Sequence, residues 1–85
     1  MIVGRSMTYF VRTMERHKES KKIFGAEVPF SQLEDAKEEA KRIVMTSRPA
    51  LMLQADACFR NKMQVRTKYR CWINERGEFQ ERALV

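Results

Sequence analysis

Met63-Gln-Val-Arg-Thr-Lys-Tyr-Arg-Cys-Trp-Ile-Asn74 alternates in side-chain type along its length. Alternate side chains of a β-strand point to opposite faces, so Met63, Val65, Thr67, Tyr69, Cys71 and Ile73 share one side. The other side carries Arg66, Lys68, Arg70 and Trp72. One face is built to be buried, and the other to meet something anionic and flat. The preceding stretch, Ala50 to Arg60, is either a strand or another helical turn, and alternation of Leu51, Leu53, Ala55, Ala57 and Phe59 favours the strand. A three-residue loop, Asn61 to Met63, would pair Phe59 with Val65, Ala57 with Thr67, Ala55 with Tyr69 and Leu53 with Cys71. The two apolar faces then coincide, as register selection demands. This register places Lys68 opposite Asp56 and Trp72 opposite Met52. It also puts Cys58 outside and Cys71 inside, which predicts no disulfide between them.

Outward from this hairpin, Thr8 to Met14 is β-branched and aromatic and reads as a first strand. Glu15 to Lys22 is a charged loop. Ile23 to Phe30 alternates Phe24, Ala26, Val28 and Phe30 and reads as a second strand, with Pro29 suited to a strand end or an edge. Ser31-Gln-Leu-Glu34 has the form of a capping box. The helix it would open carries Leu33, Ala36, Ala40, Ile43 and Val44 as one apolar stripe. Glu34, Asp35, Glu38 and Glu39 come early and Lys41, Arg42 and Arg48 late, which complements the helix dipole; Pro49 ends the helix. Asn74-Glu-Arg-Gly77 is a turn with Gly77 free to take a positive φ, and Glu78 to Val85 is a short closing strand or tail. The expected fold is α+β: an antiparallel sheet of four to five strands, in the order β-β-α-β-β with a short fifth strand as an option, and one helix packed on one face.

The chain of 85 residues is expected to form one small domain over residues 1–85. Met7 could serve as an alternative start, leaving a ragged leader before it. With 44% hydrophobic and 33% charged residues, the chain is too apolar and too patterned for a disordered one. Seventeen Lys and Arg against eleven Asp and Glu give a net charge of +6, which favours nucleic acid, anionic membrane surfaces or acidic protein patches as partners. No run approaches the length of a membrane span. The opening residues are too few for a signal peptide, and two cysteines make no disulfide framework. A cytoplasmic protein is expected.

Residues suited to catalysis are sparse. His17 is the only histidine and sits in the charged loop, and the two cysteines lack the spacing of a metal site or a thiol nucleophile. There is no phosphate-binding glycine loop and no paired-carboxylate motif outside the helix. The expectation is a non-enzyme without cofactor, metal or small-molecule substrate. Between Arg60 and Arg76 six cations (Arg60, Lys62, Arg66, Lys68, Arg70 and Arg76) face one anion, Glu75. Such a face is either solvated surface or a binding surface; Trp and Arg are the side chains most enriched at binding hot spots, and they suit phosphate contact with stacking. Arg66, Lys68, Arg70 and Trp72, supported by Arg60 and Lys62, are therefore the candidate site. The loop Arg16-His17-Lys18 with Lys21 and Lys22 either extends this face or is merely exposed. Met14, Met45, Met52 and Met63 serve as adaptable contacts or fill gaps in a small core.

Ser31-Gln32 leading into Ala40-Lys-Arg-Ile43, and Tyr69-Arg-Cys-Trp72 followed by Glu75-Arg-Gly77, give the chain a layout that resembles small phage-encoded anti-CRISPR proteins acting on type I surveillance complexes. The resemblance implies a stoichiometric inhibitor, working in the host cytoplasm, that binds a host protein or ribonucleoprotein complex and keeps target nucleic acid from engaging. A basic face departs from the inhibitors that mimic DNA by being acidic. Two further readings stand beside it: direct DNA or RNA binding through the same face, and a dimeric or accessory protein whose face meets an acidic protein surface.

Overall fold

A computed structural model describes residues 8–16, 28–47, 52–61 and 64–84. The elements are β1 (Thr8–Glu15), β2 (Pro29–Phe30), α1 (Leu33–Thr46), β3 (Leu53–Arg60), β4 (Val65–Ile73) and β5 (Phe79–Ala83). The strands form one antiparallel sheet in the order β2-β1-β3-β4-β5. This is the expected α+β arrangement with the fifth strand present and the helix inserted between β2 and β3. Among the described residues of the expected second strand, Pro29 and Phe30 pair at the sheet edge, against Phe10 and Tyr9. Ile23 to Glu27 lies outside the described residues, as do Arg48 and Pro49.

The helix lies over β1, β3 and β4. Ala36 and Ala40, both fully buried, meet Ala55 and Ala57 of the central strand in one cluster with Val11, Val44, Tyr69 and Cys71. Small residues on both surfaces let helix and sheet approach closely, and the larger Tyr9, Phe30, Leu33, Ile43, Ile73 and Phe79 close the margins. The apolar faces read from β3 and β4 thus meet the helix at Ala55, Ala57, Tyr69, Cys71 and Ile73, whereas Thr67 and Val65, read as part of the same face, pair with Cys58 and Arg60 on the opposite side.

The helix start differs from expectation. Gln32, not Ser31, is the N-cap, and it makes no side-chain capping bond, so the Ser31–Glu34 capping box is not formed. Both Phe30 and Leu33 pack against the core, and one further extended residue carries the chain between those two anchors. Glu34 and Asp35 still occupy the first turn, but the last turn holds no cation. Instead Arg42 pairs with Glu39 at 2.6 Å, Lys41 reaches Glu81 at 3.9 Å, and the Thr46 hydroxyl donates to the Arg42 carbonyl at 2.8 Å.

The hairpin register also differs. Asp56 pairs with Arg70, Ala57 with Tyr69, Ala55 with Cys71 and Gln54 with Trp72. Lys68 is therefore not opposite Asp56, and Trp72 is not opposite Met52. A two-residue slip leaves every side chain on its face, so apolar matching alone cannot choose between the two registers. Asp56 can: it is completely buried, and only the observed register sets arginines beside it on both neighbouring strands, Arg12 on β1 and Arg70 on β4.

Beyond Ala57 the register shifts by one, because Cys58 pairs with Thr67 and Phe59 with Arg66. Lys68 is the extra residue of a β-bulge. The loop that follows β3 is closed by Asn61 N–H to the Gln64 carbonyl at 3.0 Å and by Gln64 N–H to the Asn61 side chain at 3.1 Å. The β4–β5 turn is the expected one. Asn74 accepts from the N–H groups of Arg76 and Glu78 through its side-chain oxygen, and Gly77 has φ +81.

Candidate functional site

The face of the sheet away from the helix is organised as rows running across the strands. One row is Arg12–Asp56–Arg70–Arg82, contributed in turn by β1, β3, β4 and β5. The next is Met14–Gln54–Trp72–Gln80, with Arg16 just past the end of β1. On the other side of the charged row lie Phe10, Cys58 and Thr67, and then Thr8, Arg60 and Val65.

Asp56 organises this surface. Arg70 grips it with two bonds, Nε to Oδ1 at 3.0 Å and Nη2 to Oδ2 at 3.2 Å, the paired geometry that suits guanidinium and carboxylate. This contact holds the Arg70 guanidinium above its ordinary pKa. Arg12 Nη2 lies 3.7 Å from Oδ2 and donates to the Thr67 hydroxyl at 3.3 Å. Gln54 donates to Oδ1 at 3.3 Å and accepts from Arg16 Nη1 at 2.9 Å. Arg16 in turn stacks on Trp72, its guanidinium carbon 4.0 Å from the ring centroid. Burial, together with the charges of Arg70 and Arg82, lowers the Arg16 pKa, with Asp56 opposing them. Exposed Arg82 makes no ion pair among the described residues.

Five arginines thus share the paired rows of this face with one carboxylate among the described residues, Asp56, which is occupied by Arg12 and Arg70; Glu75 adds a second at the end of the sheet, beside Arg16 and Trp72. Glu81 points elsewhere. It pairs across from Cys71 on the helix side, where it accepts from the Tyr69 hydroxyl at 2.6 Å. Burial and Glu81 push the Tyr69 pKa upward, and burial pushes Cys71 up to about 12. These groups, with Lys37 and Lys41 above the Tyr69 ring, tie β5 and the helix to β4. No group of His, Cys, Asp and Glu suited to a metal ion occurs among the described residues.

Of the residues singled out from sequence, Arg70 and Trp72 lie on this face, Arg70 as the partner of Asp56 and Trp72 beneath Arg16. Arg60 is also there, its guanidinium carbon 4.2 Å from the Phe10 ring centroid. Arg66 is a correction: as the partner of Phe59, whose ring packs on Tyr9 at 5.4 Å, it belongs to the helix side. Lys68 is the unpaired residue of the bulge. The four-residue stripe is broken because the bulge reverses the phase of the strand. Lys62 lies outside the described residues. Cys58 does face away from the helix, yet it is fully buried on the central strand between Phe10 and Thr67; neither cysteine is in a disulfide.

Arg12, Arg16 and Arg82 complete the face; Arg16 belongs by sequence to a loop that either extends the face or is merely exposed, whereas Arg12 and Arg82 were not singled out from β1 and β5. A signal for Arg12 was present: in Tyr9-Phe-Val-Arg-Thr13 it alternates against Val11, as Asp56 alternates against Ala55 and Ala57. No family model matches the chain, and neither a curated protein nor a solved structure matches it. No helix among the described residues is long and apolar enough to cross a membrane.

Proposed function

We propose that the chain is a small non-catalytic inhibitor that engages a nucleoprotein machine through its open sheet face, with the arginines on phosphates of the nucleic-acid component. The observation that supports this reading is the charge of that face: Arg12, Arg16, Arg60, Arg70 and Arg82 are set by strand pairing around one buried carboxylate. A sheet needs one carboxylate and two arginines to satisfy such a buried row. Arg16 and Arg82 are in excess of it; burial first, and the charges of Arg70 and Arg82 after it, lower the Arg16 pKa, and an anionic partner would relieve the like-charge part. A CRISPR surveillance complex with its guide RNA is the setting that the sequence resemblance implies, and the host cytoplasm suits two buried thiols that form no disulfide.

Direct binding of free DNA or RNA is the second reading, favoured by the same excess of arginine. Fluorescence anisotropy with labelled single-stranded RNA and duplex DNA, at low and near-physiological salt, tests the phosphate contact. Binding that weakens steeply with salt, and is lost when Arg16 and Arg82 are both changed to Glu, is the expected result. No binding to either probe at low salt sinks the phosphate reading and leaves a protein surface as the target.

A further inference from the structure

Trp72 and its neighbours make the arginine face more specific than a charged plane. The indole is half-buried, capped by the Arg16 guanidinium at 4.0 Å. A groove of about 270 Å³ lined by Arg16, Met52, Trp72, Ile73, Asn74, Glu75 and Arg76 runs beside the ring, so its cations outnumber its one carboxylate by two to one. Arg70 lies two residues before Trp72 on the same face of β4, and Arg82 pairs directly across from Arg70. An indole capped by a planar guanidinium, a concavity beside it and further guanidinium groups around it therefore sit within one corner of the sheet.

Resting on the phosphate-binding reading above, we infer that this corner is a binding site for single-stranded nucleic acid, which stacks an unpaired base on the Trp72–Arg16 platform and sets the adjoining phosphates against Arg16, Arg76 and Arg82. Stacking is the feature that selects the strand. In a duplex both faces of a base are occupied by its neighbours, so an indole–guanidinium platform has nothing to stack on; an unpaired base offers a free face, and arginine planes and aromatic rings are the surfaces used for it. Arg70 is held back by its two bonds to Asp56 and serves to position the site. Arg82 has no such tie, and Arg16 can exchange its bond to Gln54 for one to phosphate while remaining over the ring.

Trp72 is the only tryptophan of the chain, so its emission reports on this site alone. The experiment titrates the whole protein with fluorescein-labelled oligothymidylate of about 12 nucleotides, a length within the site sizes typical of such faces, and with the duplex of the same length. Anisotropy and Trp72 emission are followed together at low salt. The expected result is tighter binding of the single strand, with quenching of Trp72 that parallels the anisotropy. Arg82→Ala should weaken this binding about tenfold, and Trp72→Leu by at least as much. Circular dichroism of each variant confirms the fold; Arg82 is exposed, so its substitution keeps the test valid if Trp72→Leu unfolds. Binding seen by anisotropy with unchanged Trp72 emission, or equal affinity for the duplex, overturns this inference and leaves the phosphate-binding reading in place. No binding of either probe overturns both.

Discussion

Replacing Asp56 by Ala removes the one carboxylate that the open face of the sheet is arranged around. Its side chain has 0% exposure, and those of Arg12 and Arg70 have 27% and 33%. Removing one member of a fully buried ion pair costs about 3–5 kcal/mol, because the remaining charge is stranded. Here the stranded charges are arginines already about one-third in water, which can turn further towards it, so a discounted figure of about 2–3 kcal/mol applies. An 85-residue domain has a total stability of roughly 4–13 kcal/mol, so the loss is a large share of it. Urea unfolding followed by far-UV circular dichroism should show the midpoint falling by about 2 M with an unchanged slope. Adding Arg70→Met to Asp56→Ala should cost less than its effect alone in the native background, a coupling of about 1–2 kcal/mol. A change for Asp56→Ala below about 0.5 kcal/mol, the range of ordinary surface substitutions, would refute the claim that this carboxylate selects the register.

Gly77→Ala should destabilise by about 1 kcal/mol through backbone strain alone, since φ is +81 and no atom lies within 4 Å of an added Cβ; an unchanged urea midpoint would contradict the turn geometry. The thiol of Cys71, raised from 9.0 to about 12, is neutral in the fold, so its contribution to stability is complete below pH 9 and lost as pH rises through 9 towards 12. With Cys58 and Cys71 both fully buried, a thiol reagent at pH 8 should label neither until denaturant is added, and prompt labelling of the native protein would count against that burial. Arg66→Ala should leave oligonucleotide affinity within about twofold, whereas Arg82→Ala should reduce it about tenfold, the effect of one phosphate contact near 1.4 kcal/mol; the reverse ranking would place the binding surface on the helix side.

The elements were legible because their signals are local. Alternation in Leu53 to Phe59 and in Tyr69 to Ile73, the apolar stripe from Leu33 to Val44, and Gly77 after Asn74-Glu-Arg each specify their own conformation. The pairing between elements was less so. The choice between two registers differing by two residues rests on one polar side chain, Asp56, and its need for arginines on both flanks. The bulge at Lys68 leaves no mark in composition, since an extra residue in an alternating strand looks like the strand continuing. That single residue is what moved Arg66 off the candidate face. Arg82 was hidden for another reason: its place on the face follows from pairing with Arg70, which no property of Glu78 to Val85 reveals. The helix cap failed because Ser31 and Glu34 fit the motif, while the packing of Phe30 and Leu33 decided where the helix begins.

The order of strands in the sheet also sets an order in time. β3, β4 and β5 are joined by tight turns and pair with their neighbours in sequence, whereas β1 reaches β3 only across the helix, Thr8 opposite Arg60. Closing the longer loop is expected to be the slower event, and the predicted order has the C-terminal meander and helix assembling first and β1 docking onto them late. Substituting Ala57 or Tyr69 should then slow folding, while Arg12→Ala should leave the folding rate nearly unchanged and speed unfolding, a contrast that stopped-flow kinetics can read. Until β1 arrives, Asp56 has one arginine, and the barrier is crossed with its second one still to come.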